Sequence, residues 1–188
     1  MKKLLKFSVL VIAVAIDVSQ SDLKAQAFKN GDMVGNLGFG FGWYGYSYYG
    51  AGVSSLPAIS LSLEKGIKDI SSISSVLTLG GIVGIKHASW SYYGDNGSYN
   101  DIIIAARGAL HADLFKVKNL DTYAGLAIGA RIHNEKFPYL GYTINNYTNP
   151  LFALYIGGRY YFSNQFAGFG EIGYGLGYLT LGLSYKFN

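Results

Sequence analysis

The stretch LTLGLSYKF, from Leu179 to Phe187, decides the fold of this chain. Every second residue in it is large and apolar, and the residues between them are small or polar. That period is the period of a β-strand, in which successive side chains point to opposite faces. Nine residues also fall within the roughly 9–11 that a tilted strand needs to cross a bilayer.

The same alternation recurs seven more times along the chain. We therefore predict eight strands, and an even number of antiparallel strands puts both chain ends on one side of a membrane. The apolar residues of the other seven strands are, in order, Leu37, Phe39, Phe41 and Trp43; Pro57, Ile59, Leu61 and Leu63; Leu77, Leu79, Val83 and Ile85; Ile102, Ile104, Ala106, Leu110 and Leu114; Thr122, Ala124, Leu126 and Ile128; Phe152, Leu154, Ile156, Tyr160 and Phe162; and Gly168, Gly170, Ile172 and Tyr174.

The predicted connections alternate in length. Long segments rich in Tyr, Gly, Asn and Ser are expected on the outer side, and shorter turns are expected on the periplasmic side. The long ones are Tyr44–Ser55, Ala88–Asn100 and His133–Pro150, and the shorter ones are Lys65–Ser74, Phe115–Leu120 and Ser163–Gln165. The pattern predicts an all-β fold: an eight-stranded antiparallel transmembrane β-barrel with a filled polar lumen.

The charged residues indicate which face meets lipid. Within the predicted strands they fall on the parity opposite to the apolar residues, as expected if a charge facing lipid costs about 2–4 kcal/mol at the midplane. We therefore predict a paired ionic network in the lumen, made of Glu64, Lys86, Arg107, His111, Asp113, Arg131, Arg159, Glu171 and Lys186. A soluble barrel of the lipocalin kind also alternates, but it places its apolar side chains inside.

Aromatic residues fall at both predicted strand ends, where amphipathic rings lie at headgroup depth. Trp43, Phe152 and Tyr174 mark the outer ends, and Tyr160, Phe162, Phe166, Tyr185 and Phe187 mark the periplasmic ends.

The first 27 residues read as a signal peptide. Met1–Lys6 carries three lysines, Phe7–Ile16 is apolar but too short to span a bilayer, and Ala25-Gln26-Ala27 is a small-x-small cleavage site. Residues 28–188 are then the barrel domain, and the expected location is the bacterial outer membrane.

Composition narrows the function classes. The 188 residues include no Cys, which excludes disulfides and thiolate sites, and the net charge of +4 is too small and scattered for a nucleic-acid binder. The sequence has no Walker loop, dinucleotide fingerprint or metal-spaced histidine cluster, so we expect no cofactor or metal.

The chain resembles the small outer-membrane barrels of the OmpA/OmpX type, and more closely the porin-family outer-membrane β-barrel proteins of Bacteroidetes type. The resemblance lies in three segments: Leu179-x-Leu181-x-Leu183-x-Tyr185-x-Phe187, Gly31-Asp32-x-Val34-x-Asn36-Leu37-Gly38 and Tyr174-Gly175-x-Gly177-Tyr178. It implies an integral membrane protein whose last strand is an assembly signal, read by the barrel-assembly machinery. It also implies contact with outer-membrane lipid and lipopolysaccharide, and a role in adhesion, host interaction or envelope stability.

Loops on a rigid scaffold often carry recognition, and Tyr combined with Asn, Ser and Gly is the chemistry of binding loops. We therefore expect a scaffold that displays surface loops and not an enzyme. The candidate recognition residues for an extracellular ligand are Trp90, Tyr92, Tyr93, Tyr142 and Tyr147.

Two other functions stay open at this point. One is a narrow porin-like channel for small solutes or ions through a rearranged ionic core. The other is a lipid-modifying enzyme, in which Ser89 would be the nucleophile, His87 the base and Asp101 the orienting acid.

Overall fold

The structure, a computed structural model, describes residues 27–42, 52–92, 95–136, 146–174 and 177–187. These residues form nine strand segments and one turn of 3-10 helix, Ser71–Ile73. The strand segments are β1 (Met33–Phe41), β2 (Gly52–Ser55), β3 (Ala58–Ile70), β4 (Ser75–Tyr92), β5 (Asp95–Ala112), β6 (Leu120–Lys136), β7 (Asn146–Tyr161), β8 (Phe166–Tyr174) and β9 (Leu179–Phe187).

The nine segments make eight barrel strands. Segments β2 and β3 belong to one strand, because both pair with β4 and only Leu56 and Pro57 separate them. The strand breaks there because proline has no N–H to donate to the ladder. Antiparallel pairing runs from β3 through β9 in chain order, and β1 pairs with both β3 and β9 to close the ring. A closed ring leaves no free sheet edge.

The large apolar side chains lie on the outside of this ring. Leu61 is 57% exposed, Ile156 is 61% exposed and Ile172 is 63% exposed, whereas the alternate residues are buried inside. A soluble barrel would have the opposite arrangement, so the lipocalin-like alternative is wrong. The predicted fold class, an eight-stranded antiparallel transmembrane β-barrel, is confirmed.

We call the end at which β1 begins and β9 ends the terminal end, and the opposite end the distal end. The connections at the terminal end are tight. Ser74 has a left-handed φ of 49° after the 3-10 turn, and the Ser163 hydroxyl accepts hydrogen bonds from the backbone N–H groups of Gln165 and Phe166. The predicted turn Lys65–Ser74 is too long, because β3 continues to Ile70.

The strands also extend further than predicted at the distal end. The predicted long loop Ala88–Asn100 is wrong: β4 continues to Tyr92 and pairs with β5 from Asp95 onward. The predicted loop His133–Pro150 likewise contains the end of β6 and the start of β7, and only residues 137–145 between them lie outside the described residues. On β4 the alternation is reversed in this extension, since the inward residues Ala88 and Trp90 are apolar and the outward residues Ser89 and Ser91 are polar.

Some predictions fall outside the described part of the chain. The signal peptide lies outside the described residues except for Ala27, and most of the predicted loop Tyr44–Ser55 lies in residues 43–51. Among the described residues, no helix has the length and hydropathy needed to cross a membrane.

Candidate functional site

The lumen near the terminal end is organised around Arg159, which β7 places inside the barrel and which is fully buried. Its guanidinium donates to Glu64 and, over 3.0 Å, to Asp121 Oδ2. The Nε group donates to Ser184 Oγ at 3.2 Å. Two carboxylates therefore share one buried cation, and the surrounding hydroxyl and amide groups complete its hydrogen bonds.

His111 extends this cluster toward β5. Its Nδ1 lies 2.9 Å from Asp121 Oδ1, and its Nε2 lies 3.7 Å from Glu64 Oε2. Thr78 Oγ1 lies 3.4 Å from the same Nε2 and donates to the carbonyl of Ala109. The imidazole thus bridges the two carboxylates that also bind Arg159.

A second ion pair lies on the distal side of the Arg159 cluster. Arg107 Nη2 donates to Glu171 Oε1 over 2.8 Å, and Arg107 Nε donates to Tyr155 Oη over 3.1 Å. The hydroxyl of Tyr123 donates to the same carboxylate oxygen at 3.0 Å. Because both charges are almost fully buried and hydrogen-bonded, the pair fixes four strands across the lumen.

Phe28 closes the terminal end of the lumen. Its ring is 1% exposed, stacks on His111 with centroids 4.5 Å apart, and lies 5.9 Å from the guanidinium carbon of Arg159. Beside it, Lys186 Nζ donates to the carbonyl of Ala27 at 2.8 Å and pairs with Asp32 at 3.3 Å. The first residue after the predicted cleavage site is therefore part of the barrel core.

An apolar layer crosses the lumen on the distal side of the Arg107–Glu171 pair. Ile82, Ile103 and Leu151 point inward there and pack with three alanines. A cavity of about 20 Å³ remains beside this layer, which is room for one water molecule, since a water needs about 10–15 Å³. The lumen is thus filled, but its filling is not polar throughout.

A separate polar cluster lies on the distal side of the apolar layer. Asp101 Oδ1 and His133 Nδ1 are 2.6 Å apart, and both side chains are buried. Glu135 Oε2 lies 3.7 Å from His133 Nε2, and Arg131 Nε lies 3.9 Å from Asp101 Oδ1. Lys86 is also buried and is paired with Asp101 in the β4–β5 register.

Aromatic rings fill the inside of the distal extension. Trp90 and Tyr99 have ring centroids 6.1 Å apart, and Tyr99 and His133 have theirs 5.4 Å apart. Tyr147 stacks on His133 at 4.6 Å. Trp90 fits there because its cross-strand partner is Gly97, where a Cβ would lie 2.4 Å from the indole.

The outer face of the same extension is polar. Beyond Ile85 on β4 the outward residues are His87, Ser89 and Ser91. On β5 the residues paired around them, Asn96, Ser98 and Asn100, are polar as well. The seven residues of β4 from 86 to 92 add about 20 Å of strand at ~3.3 Å per residue. This part of the barrel therefore lies beyond the apolar band.

Most of the predicted lumen residues lie inside the barrel. Hydrogen bonds through Asn36 and Ser62 join the Arg159 and Arg107 clusters, and the cluster around Asp101 and His133 lies apart from them. Asp113 lies one residue past the end of β5, at the terminal mouth beside Phe28 and His111. Asp121, Asn36, Tyr123 and Tyr155 complete the clusters and were missed. Their inward parity is the available signal, but Asp121 lies before the predicted strand that begins at Thr122, and the other three carry no charge.

The structure does not assemble the proposed Ser-His-Asp arrangement. Asp101 points into the lumen and bonds His133, whereas His87 is on the outer face and its Nδ1 lies 2.8 Å from Asn100 Oδ1. The base and the acid thus lie on opposite sides of the barrel wall. Within the described residues, no group of three or more acidic or histidine side chains is arranged to hold a metal ion.

The candidate recognition residues occupy different places than expected. Trp90 lies on β4 and is buried, and Tyr147 lies on β7 with its ring against His133. Tyr92 is the last residue of β4, while Tyr93 and Tyr142 lie outside the described residues. Of this set, the described rings support the extension from inside.

The predicted assembly residues all lie on β9, which pairs with β1 and β8 and so borders the closing seam of the barrel. Their side chains point outward, and Tyr185 forms edge contacts with Phe166 and Phe187 at 5.0 Å each. The residues of this outward face are Leu179, Leu181, Leu183, Tyr185 and Phe187.

Comparison with solved structures gives the same fold. Ail, the attachment invasion locus protein of Yersinia pestis, is 14% identical to this chain with a TM-score of 0.50, over 85% of this chain and 100% of that one. The outer membrane protein OprG from Pseudomonas aeruginosa is 10% identical with a TM-score of 0.50, over 89% of this chain and 100% of that one. No protein-family model matches the sequence, and no curated protein is significantly similar to it. This chain has the fold of the small eight-stranded outer-membrane β-barrels.

Proposed function

We propose that this protein is an integral outer-membrane scaffold that displays its distal extension at the cell surface, for adhesion or for stability of the envelope. The observation that carries the proposal is a polar, strand-built extension on top of a filled barrel. The barrel is anchored by its apolar outer face, and the extension presents Ser and Asn side chains to water. The terminal end is then periplasmic, since both chain ends of an even-stranded barrel lie on that side.

The same proposal includes the path to the membrane. Residues 1–27 direct export and are removed, and β9 is read by the barrel-assembly machinery. Removal after Ala27 makes the buried Phe28 the first residue of the mature chain, so N-terminal sequencing of the membrane-extracted protein tests the cleavage site. A mature chain that begins beyond Phe28 would contradict this assignment, because the terminal plug would be missing.

A scaffold is favoured over a channel because two kinds of obstacle follow one another along the lumen. The Arg159 and Arg107 clusters are hydrogen-bonded networks, and the layer of Ile82, Ile103 and Leu151 adds an apolar constriction that resists wetting. We expect the purified protein to be silent in planar bilayers. Steady ohmic current steps from the wild-type protein would instead establish the narrow channel.

One structural neighbour has a name that refers to attachment. Ail is named for attachment and invasion, and the display of a surface for attachment fits the extension described above. At 14% identity this likeness supports the fold alone, so attachment by this chain rests on its own polar extension.

The experiment removes the β4–β5 part of the extension and keeps the barrel. His87 and Asn100 are directly paired, so residues 88–99 are replaced by Asn-Gly, which closes a two-residue hairpin between them. Wild-type and trimmed proteins are expressed on a non-adherent laboratory bacterium, and attachment to cultured epithelial cells is counted. We expect the wild-type protein to raise attachment and the trimmed protein to return it to the vector level.

A parallel measurement covers envelope stability. The native strain carrying either form, or lacking the gene, is challenged with detergent, and survival is compared. Equal amounts of heat-shifted barrel in each membrane fraction ensure that folding does not explain a difference. If trimming changes neither attachment nor detergent survival, the display function is wrong.

A further inference from the structure

Two lysines on the outer face of β3 depart from the rule that charges point inward. Lys65 pairs with Leu79 of β4 and is exposed on the apolar side of the wall. In a regular strand Lys68, three residues later, would point to the opposite face. The register instead shifts by one residue between Gly66 and Lys68, so that Lys68 pairs with Leu77. This β-bulge keeps both lysines on the outer face, on neighbouring rows about 7 Å apart along the strand.

Neither lysine has an ion-pair partner in the part of the chain that the structure describes. The outward neighbours of Lys65 are Met33 on β1, Leu63 on its own strand and Leu79 on β4, and all three are apolar. Lys65 lies in the same row as Met33 and, beyond it, Phe187 of the aromatic group at the terminal end. Its ammonium group is therefore placed at the depth of lipid headgroups.

An open groove of about 530 Å³ begins at Lys65 and runs toward the middle of the barrel. That volume lies within the roughly 300–1,000 Å³ of ligand sites. Apolar side chains, each about half exposed, form its rims. They are Leu61, Leu63, Leu79, Val83 and Ile104.

Backbone forms the floor of this groove, because the outward residue of β4 between Leu79 and Val83 is a glycine. Gly81 faces outward, and a Cβ there would meet only Ala105 O at 3.6 Å. Its cross-strand partner on β5 is Ala106. The groove is thus a local absence of side chains between tall apolar rims.

We propose that this groove binds one phospholipid of the membrane leaflet at the terminal end. An acyl chain lies along Gly81 between the rims, and the headgroup phosphate lies between Lys65 and Lys68. An apolar groove that ends at Lys65, with Lys68 on the next outward row, matches the chemistry of a phospholipid, and a second barrel with its own apolar face would leave both lysines without a counter-charge. The site is independent of what the distal extension displays.

The test is native mass spectrometry of the folded full-length protein released from detergent micelles doped with palmitoyl-oleoyl-phosphatidylglycerol. Gly81→Leu fills the groove without a backbone clash, and Lys65→Gln/Lys68→Gln removes the phosphate contacts. Two matched controls are available. Gly168→Leu adds the same side chain at an outward glycine whose Cβ position has nothing within 4 Å, and Lys29→Gln/Lys116→Gln removes two exposed lysines at the same end.

We expect the wild-type protein and both controls to retain one phosphatidylglycerol. The lipid-bound fraction should fall roughly tenfold in Gly81→Leu and in the Lys65/Lys68 double variant, as expected for losing an interaction of about 1.4 kcal/mol. A diacylglycerol with the same acyl chains, which lacks the phosphate, should bind the wild-type protein no better than phosphatidylglycerol binds the double variant.

Equal lipid retention by Gly81→Leu and Gly168→Leu would overturn the site, and so would a wild-type protein without retained lipid. If diacylglycerol binds as well as phosphatidylglycerol, the role of the two lysines is wrong. All variants are first shown to be folded by their heat-shifted gel mobility, so loss of lipid is separated from loss of the barrel. The assay involves no cell attachment, so its outcome and that of the display proposal are distinguishable.

Discussion

Arg159 is the residue on which most of the buried charge near the terminal end depends. It is fully buried and bonds the carboxylates of Glu64 and Asp121. Replacing it with Met leaves both carboxylates in the lumen with His111 as their remaining shared partner. We expect Arg159→Met to lower the free energy of unfolding by about 3–5 kcal/mol, measured by urea titration in lipid vesicles with tryptophan fluorescence.

A compensating variant separates charge from packing. The triple variant Glu64→Gln/Asp121→Asn/Arg159→Met has no uncompensated charge at these positions and should recover most of the lost stability. An Arg159→Met midpoint equal to that of the wild-type protein would show that the buried pairing contributes nothing.

Gly182 on β9 tests how closely the closing seam is packed. A Cβ at this position would lie 2.0 Å from the carbonyl oxygen of Leu37 and 2.5 Å from the ring of Phe169. The nearest of these atoms belongs to the backbone of β1, which cannot rotate away as a side chain can. Gly182→Ala therefore requires the β1–β9 pair to separate, at a cost of about 1–3 kcal/mol or more. The heat-shifted band should weaken relative to Gly168→Ala, whose Cβ position is open. Equal bands would contradict the close approach.

At the residue level, the sequence predicts side-chain direction well and partners poorly. The inward direction of Arg107, Arg159 and Glu171 follows from strand parity and from the cost of a charge in lipid. Their partners follow only in part: Asp121 faces Arg159 in the β6–β7 hairpin, whereas Glu64 lies 95 residues from Arg159 and Glu171 lies 64 residues from Arg107. Phe28 was missed because it lies before the first alternating set.

The hairpin of β4 and β5 is the element that combines anchor and extension. Within the apolar band, its outer face contacts lipid, and its strands pair with β3 on one side and with β6 on the other. Above the band they are held by backbone pairing and by internal rings such as Trp90 and Tyr99. Since the ring closes below the extension, the variant with residues 88–99 replaced by Asn-Gly should keep the heat-shifted mobility of the barrel. Loss of that mobility would show that the extension is needed for folding.

The ends of the elements were the part that sequence alone could not predict. Apolar residues on the outward parity mark where a strand meets lipid, so on β4 they end at Ile85 although the strand continues to Tyr92. At the other end, the sequence predicts a turn that begins at Lys65. The structure shows a bulged strand there, with the lysine on the outer face.

As a whole, the molecule is a closed barrel with an apolar outer surface and a filled lumen. It crosses the bilayer between a plugged terminal end and a polar distal end. Eight strands leave an interior only just wide enough for side chains, which explains why long cations alternate with Gly, Ala and Ser inside. The architecture was predicted from the sequence because lipid imposes the same constraint on every strand. The proposed function depends on the distal extension, where that constraint ends.

The most direct test of this arrangement uses single cysteines, since the chain has none of its own. Ser91→Cys, Val83→Cys and Lys116→Cys place a thiol on the extension, in the apolar band and in a terminal-end turn. A membrane-impermeant maleimide should label Ser91→Cys on intact cells and Lys116→Cys only after the outer membrane is opened, and it should leave Val83→Cys unlabelled in both cases. Labelling of Val83→Cys, or a reversal of the other two, would contradict a lipid-facing barrel whose distal end is outside.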